Sequence, residues 1–198
     1  THDTLARFSA LREQITRELH AIYGVDSVSN YVPRGSRFFQ MKREKLENHA
    51  KLLVREGDYR AEPRVVLDPN TFSTDGTVAL DWWYPSPDGA FVAYGKSSGG
   101  SEKSTLYVRD VATGRDLPES IPFTQYCGVA WNPDSSGFFY NRCPDPATVP
   151  NGEENFHMRV YFHQIGTPWQ QDRYIWGEGR PKDEEPRPYL SSDRKWVL

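Results

Sequence analysis

The chain has 198 residues, with 24 Lys and Arg against 27 Asp and Glu, for a formal net charge of −3. That balance argues against a polyanion binder, whose surface would be basic, and 15 Gly with 15 Pro fall well short of a low-complexity chain. Six Trp, 11 Tyr and 10 Phe can furnish a sizeable core, while no run approaches the roughly 18 apolar residues of a membrane span.

Thr1 is not an initiator Met, and the first residues lack the basic, apolar and small-residue succession of a signal peptide. The chain is therefore expected to begin inside a longer one. Its parent is expected in the cytoplasm, or in the periplasm or outside the cell if a leader precedes Thr1. Residues 3–24 read as the one clear helix: Leu5, Phe8, Leu11, Ile15, Leu19 and Ile22 recur at intervals of three and four and share a face. Asp3 or Thr4 suits the N-cap and Gly24 the left-handed position after the last turn. Burying such a stripe is worth on the order of 10 kcal/mol, at about 1.5–3 per large apolar side chain, so the helix requires a partner surface.

After Gly24 the pattern changes to period two. Apolar and aromatic runs bounded by Gly, Pro, Asp and Asn predict strands at residues 36–41, 50–54, 64–67, 91–95, 105–109, 137–141 and 159–163. No second helical stretch of useful length separates them, which argues against a βαβ architecture.

The runs also repeat. Ser86-Pro87-Asp88-Gly89-Ala90-Phe91-Val92-Ala93-Tyr94 is echoed by Asn132-Pro133-Asp134-Ser135-Ser136-Gly137-Phe138-Phe139-Tyr140 and by Ser191-Ser192-Asp193-Arg194-Lys195-Trp196-Val197-Leu198, with a more distant copy at Pro33-Arg34-Gly35-Ser36-Arg37-Phe38-Phe39. Asp88 and Asp134 are 46 residues apart, Asp134 and Asp193 are 59, and Gly35 and Gly89 are 54. A turn followed by an aromatic strand at a period near 50 is the mark of four-stranded propeller blades. The expected fold is mainly β: a partial β-propeller of about three blades and the start of a fourth, preceded by one amphipathic helix. Such an arc cannot close its own ring, so its open edges and unpaired stripe predict self-association.

Catalytic signatures are sparse. There is no G-x-S-x-G elbow and no H-E-x-x-H, and a Ser/His/Asp triad assembled from scattered residues would be defined only by geometry. His157 and His163 share a face of one predicted strand, but six residues put them about 20 Å apart, too far for one metal. Gly95 to Gly100 reads as a hairpin loop, without the helix and lysine of a phosphate cradle. The acidic runs Glu153-Glu154 and Asp183-Glu184-Glu185 read as solvated loops. Cys127 and Cys143, each eight residues from Ser135, are either reduced core thiols or a cross-strand pair. No cofactor, metal or catalytic residue is assigned.

Several phrases carry a family resemblance: Glu62-Pro63-Arg64-Val65-Val66-Leu67-Asp68-Pro69-Asn70, Asp75-Gly76-Thr77-Val78-Ala79-Leu80, Ser86 through Gly95, Val108-Arg109-Asp110-Val111-Ala112-Thr113-Gly114-Arg115-Asp116-Leu117-Pro118 and Val129-Ala130-Trp131-Asn132-Pro133-Asp134. In this order, over essentially the whole chain, they resemble prolyl oligopeptidases. The resemblance implies a serine peptidase cleaving short peptides after proline, with a seven-bladed propeller over a discontinuous α/β-hydrolase domain. Residues 1–24 would then be the helical end of the N-terminal hydrolase segment and 25–198 the first part of the propeller, with the triad beyond Leu198.

The implied partners are short proline-containing peptides and the hydrolase domain of the same parent chain, with no nucleic acid and no membrane. Tyr126 matches an aromatic lining the substrate pocket beyond the proline site, though a core aromatic would read the same. Glu102 matches an acid facing the hydrolase domain near a substrate-binding arginine, though a surface-loop carboxylate would too. Residues 43–48 lack the family's glycine-containing turn and Asp81-Trp82-Trp83-Tyr84-Pro85 is bulkier than usual, which leaves the register of those strands open. The competing reading is a free-standing β-repeat binding module that self-associates to complete its ring.

Overall fold

The computed structural model describes residues 7–45 and 47–198. One helix, α1 (Ser9–Tyr23), precedes thirteen strands among these residues. The first sheet holds β1 (Ser27–Val28), β2 (Val32–Arg34), β3 (Arg37–Arg43), β4 (Lys51–Glu56) and β5 (Arg64–Leu67). The second is a meander of β6 (Val78–Pro85), β7 (Phe91–Ser98), β8 (Thr105–Asp110) and β9 (Asp116–Ile121), and the third of β10 (Val129–Trp131), β11 (Gly137–Arg142), β12 (Arg159–Gln164) and β13 (Arg173–Trp176). All pairings are antiparallel. A bridge between Leu190 and Val197 starts a further hairpin. These are three blades and the opening of a fourth, as the repeat predicts.

The blades stack because their strands are apolar on both faces. Along β7, Val92 and Tyr94 point into a core with Phe39, Leu52, Val54 and Leu67 of the first blade. The alternate residue, Ala93, joins Leu106, Val108 and Ile121 against Cys127, Trp131, Phe138 and Tyr140 of the third. Period-two alternation sends successive side chains to opposite faces, so a strand apolar at consecutive positions binds a neighbour on each side.

The turn repeats are structural equivalents. Ser86 Oγ donates to Asp88 and accepts the Phe91 amide, and Ser191 does the same with Asp193 and Trp196. The residue after each turn aspartate is left-handed: Gly89, Ser135 and Arg194 have φ of 73°, 59° and 57°.

Several expectations are corrected in detail. The first blade has five strands, because its inner position is split: β1 and β2 both pair with β3. Residues 43–48 leave β3 and β4 in unbroken register from Arg37–Glu56 to Lys42–Lys51, whereas the bulky Asp81–Pro85 run does carry an irregularity, at Asp81 between Leu80 and Trp82. Gly24 is not left-handed (φ −78°). Its amide closes the last turn on the His20 carbonyl at 2.9 Å, and a β-carbon there would lie 2.3 Å from that oxygen, so close approach rather than handedness requires glycine. His157 lies outside β12, which begins at Arg159. Asp3, Thr4 and Leu5 lie outside the described residues.

The α1 stripe has no cover among the described residues: Phe8, Leu11, Ile15, Leu19 and Ile22 are all exposed. Among the described residues no helix is long and apolar enough to cross a membrane. Cys127 and Cys143 are both buried and free.

Candidate functional site

Turns between the first and second strands of each blade lie on one face of the arc, and loops between the second and third strands, with the blade-to-blade connections, lie on the other. Hydrogen bonds link this second face from end to end. His49 contacts the Gly76 carbonyl through Nε2, the Gly99 amide donates to Thr77 and the Thr124 amide to Ser104. Cys143 then donates to Phe123, and His157 to Lys182. The C-terminal end of α1 joins the same face, where Arg43 donates to the Tyr23 carbonyl at 3.1 Å.

Glu102, in the β7–β8 loop, and Tyr126, in the β9–β10 connection, meet on this face. The Tyr126 hydroxyl donates to Glu102 Oε2, and the carboxylate holds the phenol pKa above its usual range. Both residues are left-handed, at φ 57° and 55°, a conformation that a bulky side chain adopts only when its surroundings impose it.

Ser104 supplies that constraint. It is buried, its hydroxyl donates to Asp81 Oδ2 at 2.6 Å, and its carbonyl accepts both the amide and the hydroxyl of Thr124 at 3.0 Å. Asp81 also accepts Ser97 Oγ at 2.9 Å. The two loops are thereby stapled to each other and to the bulge of β6.

The groove so formed has a volume of about 290 Å³ and is walled by Trp82, Tyr84, Tyr126, Asp81 and Glu102, with Arg187 at its rim. Trp82 lies flat on β7, where a β-carbon on Gly95 would come within 2.3 Å of its ring. Its indole N–H is buried without a partner among the described residues. Tyr126 is 47% exposed, as a stacking surface must be. Cys127 also lines the groove, but complete burial raises its thiol pKa far above the range where a thiolate forms. Aromatic faces beside carboxylates can hold an apolar or a cationic group.

Glu102 and Tyr126 are legible in the sequence one at a time. Their surroundings, Asp81, Trp82, Ser104 and Arg187, emerge only in the fold; the one sequence signal for them is the bulky Asp81–Tyr84 run together with a glycine at position 95 of the neighbouring strand.

Elsewhere, His157 Nε2 contacts Glu153 at 2.6 Å and His163 Nδ1 contacts Asp172 at 2.7 Å. The two histidines thus contact different carboxylates, and among the described residues no group of three His, Cys, Asp or Glu side chains could hold a metal. The acidic runs make surface pairs, Glu153 with Lys182 and Glu184 with Arg180.

The family model for the prolyl oligopeptidase N-terminal β-propeller domain matches residues 1–198. The prolyl endopeptidase of Elizabethkingia meningoseptica is 31% identical over all of this chain and 28% of its own length. That of Elizabethkingia miricola is 33% identical over 96% of this chain and 26% of its own. Prolyl oligopeptidase A of Galerina marginata is 40% identical over 59% of this chain and 18% of its own.

A solved structure from a study of two prolyl endopeptidases and the role of inter-domain dynamics in catalysis and specificity superposes with a TM-score of 0.81 at 29% identity, over 98% of this chain and 30% of that one. Prolyl oligopeptidase B of Galerina marginata, bound to a 35mer hydrolysis and macrocyclization substrate, shares the fold with a TM-score of 0.87 at 20% identity, over the same shares. The chain therefore spans less than a third of the length of these relatives. Repeated blades, an unbroken match along the whole chain and close superposition agree: the chain belongs to the prolyl oligopeptidase family, in the region of its N-terminal β-propeller domain.

Proposed function

We propose that this chain is the leading part of the propeller of a serine peptidase that cleaves short peptides after proline, with Tyr126 lining the substrate pocket and Glu102 facing the hydrolase domain. The observation that carries this reading is the hydroxyl–carboxylate contact between the two residues, on the face that α1 also reaches. Tyr126 then offers its ring to a peptide side chain while its hydroxyl fixes Glu102, ready to pair with a cationic group across the domain boundary by a charge-assisted hydrogen bond.

In this reading residues 1–24 close the N-terminal hydrolase segment, whose absent remainder covers the stripe of α1. Residues 25–198 begin a ring that restricts access, admitting short peptides and keeping water from the closed interface. Family membership supports this over a free-standing binding module.

Two measurements test it. In the full-length parent, Tyr126→Ala should raise KM for proline-containing peptides roughly fivefold, the worth of one aromatic contact of about 1 kcal/mol; an unchanged KM removes Tyr126 from the pocket. The 198-residue chain alone should not turn over a chromogenic proline peptide, and turnover sensitive to a serine-directed inhibitor would overturn the assignment of chemistry to the rest of the parent.

A further inference from the structure

The second and third blades carry the same side-chain arrangement with one exchange. Tyr94 on β7 and Tyr140 on β11 are equivalent, each two residues beyond a paired position (Val92 opposite Pro85, Phe138 opposite Trp131). Both are fully buried, and each donates its hydroxyl to an aspartate: Tyr94 to Asp116 at 2.9 and 3.0 Å, Tyr140 to Asp172 at 2.7 Å.

The third member lies on the next strand. Arg109 pairs with Val92, and His163 with Phe138, so the two occupy one register position. Arg109 grips Asp116 through Nε and an Nη at 2.8 and 3.0 Å. Its other Nη reaches the first blade, donating to the Val66 carbonyl at 2.9 Å. His163 likewise holds Asp172 through Nδ1 and turns Nε2 to the preceding blade, where Glu119 of β9 lies 4.0 Å away.

We propose that His163 and Glu119 form a pH-dependent latch between the second and third blades, in the place where a permanently charged arginine joins the first and second. Both side chains are almost wholly inaccessible, at 1% each. Glu119 Oε1 accepts the Gly166 amide at 2.6 Å, while Glu119 Oε2 and His163 Nε2 have no hydrogen-bond partner among the described residues. A buried carboxylate held by one amide needs a compensating charge, and the imidazolium supplies it.

The groups facing His163 are Asp172 before β13, Glu119 on β9, and, through Asp172, Tyr140 on β11. Arg142 on β11 lies over the rings of Tyr161 and Trp169. Burial pulls the His163 pKa down, but the hydrogen bond to Asp172 and the negative charges of Asp172 and Glu119 outweigh it and hold it above its usual value. Burial likewise opposes ionisation of Glu119, and His163 with the Gly166 amide brings it below the usual carboxylate range.

The signs follow. A histidine with a raised folded pKa contributes stability that is complete below its unfolded pKa and is lost as pH rises through the folded one. The glutamate contributes stability that is lost as pH falls through its depressed folded pKa. The latch thus closes between these limits and opens at alkaline pH, whereas the Arg109 contact persists because a guanidinium stays charged.

The test is thermal unfolding of the full 198-residue chain and its His163→Gln, Glu119→Gln and double variants at pH 6 and pH 9. At pH 6 each single variant should lose roughly 3–6 °C in midpoint, and the double variant no more than either. At pH 9 the non-additivity should vanish. Additive losses at pH 6, or equal non-additivity at both pH values, would overturn the latch. Should the variants not fold, titrating the His163 ring by NMR in the unmodified chain decides: a midpoint above about 6.5 supports it, and one at or below that value refutes it.

Discussion

Gly35 and Gly89 meet tip to tip where the hairpins of the first two blades touch: a β-carbon on either would lie 2.9 Å from a backbone carbonyl oxygen of the other's turn, Asp88 and Arg34 respectively. Arg37 adds a hydrogen bond to the Gly89 carbonyl at 2.8 Å. The contact is backbone on backbone, so neither partner can turn aside. Gly89→Ala, at φ +73°, should therefore destabilise the chain by about 1–3 kcal/mol, measured by urea unfolding. A loss below half a kilocalorie would mean that the tips separate freely.

The flat packing of Trp82 on Gly95 gives a second outcome. Gly95→Ala would place a methyl 2.3 Å from the indole and push Trp82 out of the wall of the groove. We expect about 1–3 kcal/mol of destabilisation together with a changed Trp fluorescence spectrum. An unaltered spectrum would show that the ring does not rest there.

Removing the guanidinium of the second blade should cost more than a surface pair normally does. Arg109→Ala deletes a two-pronged contact to Asp116 and the link to Val66, at a site where the arginine side chain is 18% exposed. Denaturant titration should register about 2 kcal/mol, the usual worth of hydrogen bonds to a charged group, and a neutral result would assign the inter-blade join to packing alone.

The phenol of Tyr126 reports on Glu102 without reference to activity. Its raised pKa comes from the hydrogen bond to the carboxylate and its charge, so Glu102→Gln should bring the Tyr126 titration back toward the ordinary tyrosine value near 10. Ultraviolet difference titration of the variant against the unmodified chain reads this. No change would place the two side chains apart in solution.

Thiol chemistry and association follow from burial. Burial pushes Cys143 up to about 11 and Cys127 further, so neither should react with a disulfide reagent at pH 8 until the chain unfolds; rapid labelling of the native chain would contradict their placement. The exposed stripe Phe8, Leu11, Ile15, Leu19 and Ile22 should drive self-association at tens of micromolar, which Ile15→Glu reduces. A clean monomer by light scattering in the unmodified chain would contradict this.

Blades, hairpin turns and the amphipathic helix were legible from the order of residues because each depends on local alternation: apolar pairs in strands, a Pro/Asp turn before an aromatic run, apolar residues every third or fourth position in α1. Glu102 and Tyr126 could be singled out but not joined. Their contact depends on Ser104 bonding Thr124 and Asp81, residues 20 and 23 positions away that only the folded meander brings together. The split first blade arises where β1 and β2 share one neighbour. The exchange of Arg109 for His163 emerges only once strand register aligns two segments of dissimilar sequence. Local preference sets what a segment becomes; which segments then touch is decided by stacking sheets whose two faces are both apolar.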